Sequence, residues 1–275
     1  MQVAYFKMQG AGNKIVVVDQ RKGDVLPPDA ARLRALAQAP EGPEFDQLMW
    51  VSRADNPAHA ASYRVFNADG SEVQQCGNGV RCVARILALE SPSSETFTLG
   101  SPAGPVSVRI EDELVAVSMG SPEFEPARIP FLADTASLYY ELQVDAEVFK
   151  IQAVSMGNPH CVLQVASVDN APVQRLGPRI EQHERFPEKV NVGFMSIRDR
   201  KNIALRVHER GVGETLACGT GACAAVVSGQ RAGVLEEQVT VDLPGGQLVV
   251  SWAGGTEAVW LTGNAELITE GTLHL

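Results

Sequence analysis

A chain of 275 residues, 45% hydrophobic and 20% charged, has enough apolar material to bury a core as one large domain or two ordinary ones. Its net charge of −10 withholds the basic surface that supplies most nucleic-acid affinity, so no nucleic-acid partner is expected. The longest aliphatic run near the start, Ile15–Val18, is far too short to span a bilayer, and the opening MQVAYFKMQGAGNK lacks a basic segment followed by an apolar one. A cytoplasmic protein with no membrane partner is expected.

Val3–Phe6 and Ile15–Asp19 open the chain as short strands. DAARLRALAQA (Asp29–Ala39) reads as a helix, with Leu33 and Leu36 at helical spacing and Asp29 placed to cap its start. A strand at Tyr63–Asn67 precedes Cys76, and GVRCVARILALE then reads as an apolar helix stopped by Ser91-Pro92. Strands at Val106–Ile110 and Val115–Met119 lead to a proline-bearing boundary, Ser121–Pro130. Beyond it come strands at Cys161–Val165 and Ile203–Val207. The helix GACAAVVSGQRAG follows Cys218 and ends at Gly233. Strands at Val239–Leu243, Leu248–Trp252 and Ala258–Thr262 complete the reading. The helices after Cys76 and Cys218 are apolar around much of their circumference, so each is expected to be buried at the centre of a curved sheet.

Five cysteines without an export signal point to free thiols in a reducing compartment. No pair is spaced as CxxC: Cys76 to Cys82 is a step of 82 − 76 = 6, and Cys218 to Cys223 one of 223 − 218 = 5, so no metal is expected. Cys82, Cys161 and Cys223 lie inside apolar helices or a strand and read as small core residues. Cys76 and Cys218 differ. CGNGVRCVA and CGTGACAAV share the form Cys-Gly-polar-Gly, 218 − 76 = 142 residues apart, each leading into an apolar helix. GAGNKIVVVD and SMGNPHCVLQV share a Gly-Asn pair at 158 − 13 = 145, and Glu72 and Glu214 each stand four residues before their cysteine. Order-preserving matches at nearly one offset indicate two halves of similar fold related by duplication.

The glycine after each cysteine allows a sharp turn and a close backbone approach. The helix that follows offers free N–H groups and a positive dipole end, suited to a carboxylate and to lowering the pKa of an adjacent thiol. Two such turns, one on either side of a carbon, would let one thiolate take a proton while the opposite thiol gives one. That is a stereo-inverting, two-base site.

NADGSEVQQCGNGVR (Asn67–Arg81) resembles the signature of the diaminopimelate epimerase family at every defined position. The resemblance continues through GAGNKIVVVD, FDQL (Phe45–Leu48), MGNPHCV, VNVGFM, VHERGVGETLACGTGACA, VDLPGGQL and LTGNAE, and so runs the length of the chain. It implies an enzyme that interconverts LL- and meso-diaminopimelate in lysine and peptidoglycan-precursor synthesis, with no cofactor, neither pyridoxal phosphate nor metal. The implied fold is α/β of the α+β type: two pseudo-symmetric domains, each a curved, mostly antiparallel sheet around a central helix. On this basis residues 1–120, with 264–275 returning to them, form the half that carries Cys76, and 121–263 the half that carries Cys218.

The same resemblance assigns roles residue by residue. Cys76 and Cys218 match the acid/base pair, and His160 and Glu209 match the groups that tune the thiols. Gly77-Asn78 and Gly219-Thr220 match the turns that bind the reacting carboxylate. Asn67, Asn158, Asn191 and Arg210 match a polar cage for the distal amino-acid end, with Arg210 suited to a bidentate carboxylate contact; Glu209 can also accept from an ammonium, and Asn13 and Gln47 complete the family's substrate-binding set. A homodimer is compatible with the resemblance. Two departures stand out: APEGPEFDQL (Ala39–Leu48) replaces the glycine-rich approach common before Asp-Gln, and Thr269 stands where many relatives carry an aromatic. A proline-racemase-like or hydroxyproline-epimerase-like enzyme shares the paired-cysteine logic. A thiol protein that senses redox state or binds metal is the reading from another class.

Overall fold

Ile15, Val16, Val17 and Val18 are each 0% exposed in the computed structural model, so this strand is covered on both faces. Alternation explains how: successive side chains leave opposite faces of a strand, and each face here meets a different helix. The structure describes residues 2–39, 42–74, 76–90 and 95–275. The chain divides into one unit of Met1–Ser118 with Thr262–Leu275, and a second of Met119–Leu261.

The first unit contains β1 (Gln2–Gly10), β2 (Asn13–Gln20), α1 (Ala30–Gln38), β3 (Gln47–Ser52), β4 (Ala61–Asn67), β5 (Glu72–Val73), α2 (Gly77–Glu90), β6 (Thr96–Ser101), β7 (Gly104–Glu111) and β8 (Leu114–Ser118). β1 pairs antiparallel with β2, β2 parallel with β3, and β3 antiparallel with β4. β4 pairs antiparallel with β5 and parallel with β6, and β6 to β8 form an antiparallel meander. Each parallel pairing needs a crossover, and α1 and α2 are those crossovers. α1 covers one face through Leu33 and Leu36, packed with Val16, Val18, Leu48 and Trp50. Asp29 caps it as expected, its Oδ1 accepting from the Arg32 N–H at 2.8 Å. α2 fills the other face, packing against β1, β2, β3, β7 and β8, with all of residues 77–84 buried.

The second unit repeats this order with β9 (Tyr140–Val144), β10 (Glu147–Ser155), β11 (Pro159–Gln164), α3 (Val173–Glu181), β12 (Asn191–Asp199), β13 (Asn202–Glu209), β14 (Gly213–Thr215), α4 (Gly219–Arg231), β15 (Gln238–Leu243) and β16 (Gly246–Ser251), and the chain leaves it within β17 (Trp260–Asn264). β10–β11 is antiparallel, β11–β12 parallel, β12–β13 antiparallel, β13–β14 antiparallel, β13–β15 parallel and β15–β16 antiparallel. α4 takes the place of α2, packing against β10 to β13 and β16, and α3 takes the place of α1. β9 lies antiparallel beside β10, as the final strand β18 (Glu266–His274) lies beside β1. The topology is thus an α+β fold used twice.

Several elements escape the sequence pattern. α3 was not expected because Gly177 and Pro178 stand inside it. Its buried residues Val173, Leu176, Gly177, Ile180 and Glu181 nevertheless form one helical stripe. β12 was missed because NVGFMS is buried at every position, leaving no period-2 signal. β3, β5, β6, β9, β10, β14 and β18 were also unassigned, and β17 falls two residues later than the expected Ala258–Thr262. The stretch Ser121–Pro130 is tied into the second unit: Glu123 and Ser155 exchange backbone hydrogen bonds of 2.8 and 2.9 Å, and Ile129 is 0% exposed. The helix stop at Ser91-Pro92, and Pro40 and Glu41 of the atypical loop, lie outside the described residues.

Candidate active site

Cys76 and Cys218 occupy the same local place in their units, the residue immediately before a buried helix. Cys76 is half-buried and Cys218 is 5% exposed. The carbonyl of Cys76 accepts from Val80 N–H at 2.9 Å and its Sγ from Gly79 N–H at 3.4 Å. The carbonyl of Cys218 accepts from Ala222 N–H at 2.9 Å, and Cys218 is the N-cap residue of α4 without a side-chain capping bond. The Cys76 sulfur thus does the work of an N-cap oxygen, taking the third amide of its helix, whereas Cys218 caps its helix through the main chain alone. The first two amides, Gly77-Asn78 and Gly219-Thr220, have no carbonyl partner within an α-helix, an arrangement suited to an anion. Space at the third residue is tight: a Cβ at Gly79 would lie 2.4 Å from Met49 Sδ and force that side chain to move, and one at Gly221 would lie 3.0 Å from Val207 Cγ2 and 3.3 Å from Cys218 Sγ.

In the first unit, Gln47 and Asn67 face each other across β3 and β4, and Gln47 Nε2 donates to Asn67 Oδ1 at 3.1 Å. Asn67 Nδ2 donates to Ser71 Oγ. Gln47 Oε1 is buried with no hydrogen-bond partner among the described residues, an acceptor left for an arriving N–H. Asn13 begins β2 and is half-buried. Asn78 turns its side chain inward, accepting at 2.9 Å from Arg81 Nη2, so only its backbone N–H is turned to ligand chemistry.

In the second unit the polar residues form one chain of contacts. His160 Nε2 donates to Asn158 Oδ1 at 2.9 Å, Asn158 Nδ2 to Thr220 Oγ1 at 3.4 Å, and Thr220 Oγ1 lies 3.5 Å from Cys218 Sγ. The Glu209 carboxylate accepts a hydrogen bond from Thr215 Oγ1 and lies near enough to Cys218 for each group to shift the other's ionisation. Burial, reinforced by the Glu209 charge, pushes the Cys218 thiol well above the ordinary thiol range. Burial likewise raises the Glu209 carboxyl, against the Thr215 and Cys218 hydrogen bonds that favour its charged form. His160 is 1% exposed, and burial, aided by the Arg210 guanidinium, lowers its pKa to about 3, leaving a neutral imidazole. Asn191 commits both amide atoms internally, donating to Pro159 O and accepting from Arg210 N–H, each at 3.0 Å. Arg210 is exposed, its Nη1 donating to Glu188 O.

Comparison with known proteins places this geometry in a family. The diaminopimelate epimerase profile matches residues 5–125 and 152–268. A diaminopimelate epimerase of Alkalilimnicola ehrlichii is 49% identical and one of Thioalkalivibrio sulfidiphilus 50% identical, in both cases over 100% of each chain. The chain belongs to the diaminopimelate epimerase family. Among solved structures, a PhzF-family phenazine biosynthesis protein from Enterococcus faecalis matches at a TM-score of 0.70 and 14% identity over 100% of each chain. A hydroxyproline epimerase from Agrobacterium vitis with bound trans-4-hydroxy-L-proline matches at 0.67 and 16%, over 99% of this chain and 92% of that one. At such identities these matches carry the fold alone.

Two residues of this diaminopimelate epimerase family chain went unassigned in the sequence. Arg81 is 0% exposed and binds both Asn78 Oδ1 and Asn264 O, bracing the first helix turn. Its signal was a cation on the apolar side of the helix, one turn before Arg85. Thr215 was hidden, because nothing in GETLACG marks a hydroxyl aimed back at Glu209. Cys82, Cys161 and Cys223 are fully buried core residues, and burial pushes the Cys82 thiol up to about 12. No helix among the described residues is long and apolar enough to cross a membrane.

Proposed function

We propose that the chain interconverts LL- and meso-diaminopimelate by proton transfer at the α-carbon, serving lysine and peptidoglycan-precursor synthesis, with Cys76 and Cys218 as the two proton carriers. The observation that carries this reading is the recurrence, once per unit, of a cysteine immediately before a buried helix, its carbonyl taking the helix's fourth amide and the first two amides left without a helical carbonyl partner. Those amides, Gly77-Asn78 and Gly219-Thr220, hold the substrate carboxylate and stabilise the charge that flows into it when the α-proton leaves. No pyridoxal phosphate or metal is assigned to the step. Cys218, held protonated by burial and Glu209, is the donor in one direction while Cys76 takes the proton from the opposite face. In the reverse direction Glu209 accepts the Cys218 proton and the thiolate becomes the base. Neutral His160 orients Asn158, and through it Thr220 against the Cys218 sulfur.

The distal amino-acid end is assigned to Asn13, Gln47, Asn67, Asn158, Asn191, Glu209 and Arg210. Gln47 Oε1 suits the ammonium, since it is a buried acceptor without a partner. Arg210, exposed and bonded only to a main-chain carbonyl through its guanidinium, is available to a carboxylate. This second amino-acid head is what separates the reading from a proline-racemase-like one. The proposal includes a cytoplasmic setting and a homodimer; exposed Leu267 and Ile268 on β18 support the latter, and a monomer in sedimentation equilibrium would remove it.

Incubation of LL-diaminopimelate in deuterium oxide tests substrate and mechanism together. Wild type should form the meso isomer with deuterium at the α-carbon, and Cys76→Ala and Cys218→Ala should each abolish epimerisation. Full activity in either variant refutes the pairing, and turnover of proline alone refutes the substrate. Stoichiometric metal on the two thiols would favour the non-catalytic reading.

A further inference from the structure

Glu72 and Glu214, four residues ahead of their cysteines, have no part in the proton transfer just described. The structure gives both the same partner. Arg64 Nε and Nη2 donate to the two Glu72 carboxylate oxygens at 2.7 and 2.6 Å, and Arg206 Nε and Nη2 to those of Glu214 at 2.6 and 3.0 Å. The offsets are 206 − 64 = 142 and 214 − 72 = 142, identical to that of the cysteines. Duplication has therefore preserved a bidentate, two-bond fork in each half, where a loose surface pair would keep neither geometry nor spacing.

Its position explains what it does. β5 is only two residues long and β14 three, so each is held to its neighbour by two or three residue pairs: Val65↔Val73 and Phe66↔Glu72 in the first unit, and Val207↔Thr215, His208↔Glu214 and Glu209↔Gly213 in the second. A ladder this short fixes the direction of the outgoing chain poorly. That outgoing chain delivers the cysteine. The arginines stand on β4 and β13, the long strands whose ends carry Asn67 and Glu209, so each fork ties the cysteine-bearing turn to the strand bearing its polar neighbour. The second fork is the better built: Gln174 Nε2 on α3 adds a bond to Glu214 at 2.6 Å, and Arg206 Nη1 donates to Val168 O. The Arg206 and Glu214 side chains are 23% and 18% exposed, against 47% and 38% for Arg64 and Glu72.

We propose that Arg64–Glu72 and Arg206–Glu214 are positioning clamps, one per half, that aim Cys76 and Cys218 at the reacting carbon; the inference rests on the two-thiol reading above. The competing account is a pair of ordinary hairpin ion pairs that add a little stability. Thiol reactivity separates the two. The intact Glu72→Gln and Glu214→Gln proteins are labelled with iodoacetamide at fixed pH, and each cysteine is followed by peptide mass spectrometry alongside kcat and KM on diaminopimelate.

Glu214→Gln should lower kcat by about 10-fold or more while KM stays within about two-fold, the signature of a misplaced reacting group. It should change the labelling rate of Cys218 and leave Cys76 unchanged. Glu72→Gln should act on Cys76 alone, with a smaller kcat loss of about three-fold because its fork is more exposed. Glu214→Asp, which keeps the charge but shortens the reach, should fall between, and it serves where the glutamine variant does not fold. Unchanged kcat, or equal changes at both cysteines, overturns the proposal. Labelling needs no substrate, so it reads the clamps even if the Cys→Ala variants overturn the two-thiol reading.

Discussion

Substituting Gly177 by alanine sets two principles against each other, and the structure decides between them. In a helix interior, glycine to alanine ordinarily stabilises by about 1 kcal/mol. At Gly177 the new Cβ would lie 2.6 Å from His208 Cγ, 2.7 Å from Nδ1 and 2.8 Å from Cβ. Carbon contacts settle at about 3.5–4.0 Å, so the imidazole must retreat by roughly 1 Å, and with its own Cβ in conflict no side-chain rotation suffices. Overpacking of this kind costs about 1–3 kcal/mol. His208 is 5% exposed and bonded through Nε2 to Glu181 Oε2 at 2.9 Å, while Glu181 Oε1 accepts from Gly211 N–H at 3.0 Å. Disturbing a hydrogen bond to a charged group adds about 1.5–3 kcal/mol. Subtracting the helix gain leaves a net loss of about 1.5–5 kcal/mol. Urea unfolding with unchanged m reads it directly. Gly193→Ala, whose Cβ would meet nothing closer than Leu205 Cδ1 at 3.5 Å, is the control and should be neutral or slightly stabilising. Because Gly211 follows Glu209 and Arg210, kcat/KM should fall with stability at Gly177. A Gly177→Ala protein as stable as wild type would refute the packing argument.

The low pKa of His160 makes stability depend on pH in a direction that can be worked out. The unfolded chain takes up the proton near pH 6.5 and the folded chain near 3, so the unfolded state binds more protons between them and stability falls as pH falls through that window. The slope from this residue is about 1.4 kcal/mol per pH unit, and His160→Gln should remove it in urea titrations at pH 6.5, 5.5 and 4.5; equal slopes would refute the assignment. Glu209→Gln removes the charge that helps hold the Cys218 thiol high, so iodoacetamide should label Cys218 faster at pH 7 while kcat drops by about 100-fold or more. Slower labelling with unchanged turnover would sink that role.

What the sequence made legible was local chemistry. Cys-Gly-polar-Gly before an apolar run states a tight turn and a helix start in a few residues, and Asp29 before its helix states a cap. The hidden elements depended on contacts with distant residues. Gly177 and Pro178 read as breakers, yet Gly177 is required by the His208 ring across the packing interface, and no local rule contains that ring. β12 reads as a featureless apolar run because both its faces are covered. A non-local signal was nevertheless present: α1 and α3 stand 173 − 30 = 143 and 181 − 38 = 143 residues apart, so the repeat offset alone would have located the missing helix.

The same offset shows which parts duplication kept and which it released. The cysteines before the buried helices, the helix-opening pairs Gly77-Asn78 and Gly219-Thr220 and the Arg–Glu forks recur at 142, as the proposed role would demand of both halves. The surrounding side chains do not recur. Glu209 falls opposite Asn67 at 209 − 142 = 67, and His160 opposite Ile15 at 160 − 145 = 15. The register agrees, since His160 aligns with Asn191 on its neighbour as Ile15 does with Gln47. A proton carrier buried beside a carboxylate needs Thr215 to satisfy that carboxylate, and the equivalent residue, 215 − 142 = 73, is Val73. On the proposed two-thiol reading, the recurring turns serve the thiols alike, and the side chains that do not recur are the ones left to distinguish the two ends of the substrate. Restoring symmetry by Val73→Thr with Asn67→Glu should therefore raise KM for diaminopimelate, because Gln47 Nε2 would lose its Asn67 Oδ1 partner and its Oε1 would face a carboxylate; an unchanged KM would show that the asymmetry carries no part of recognition.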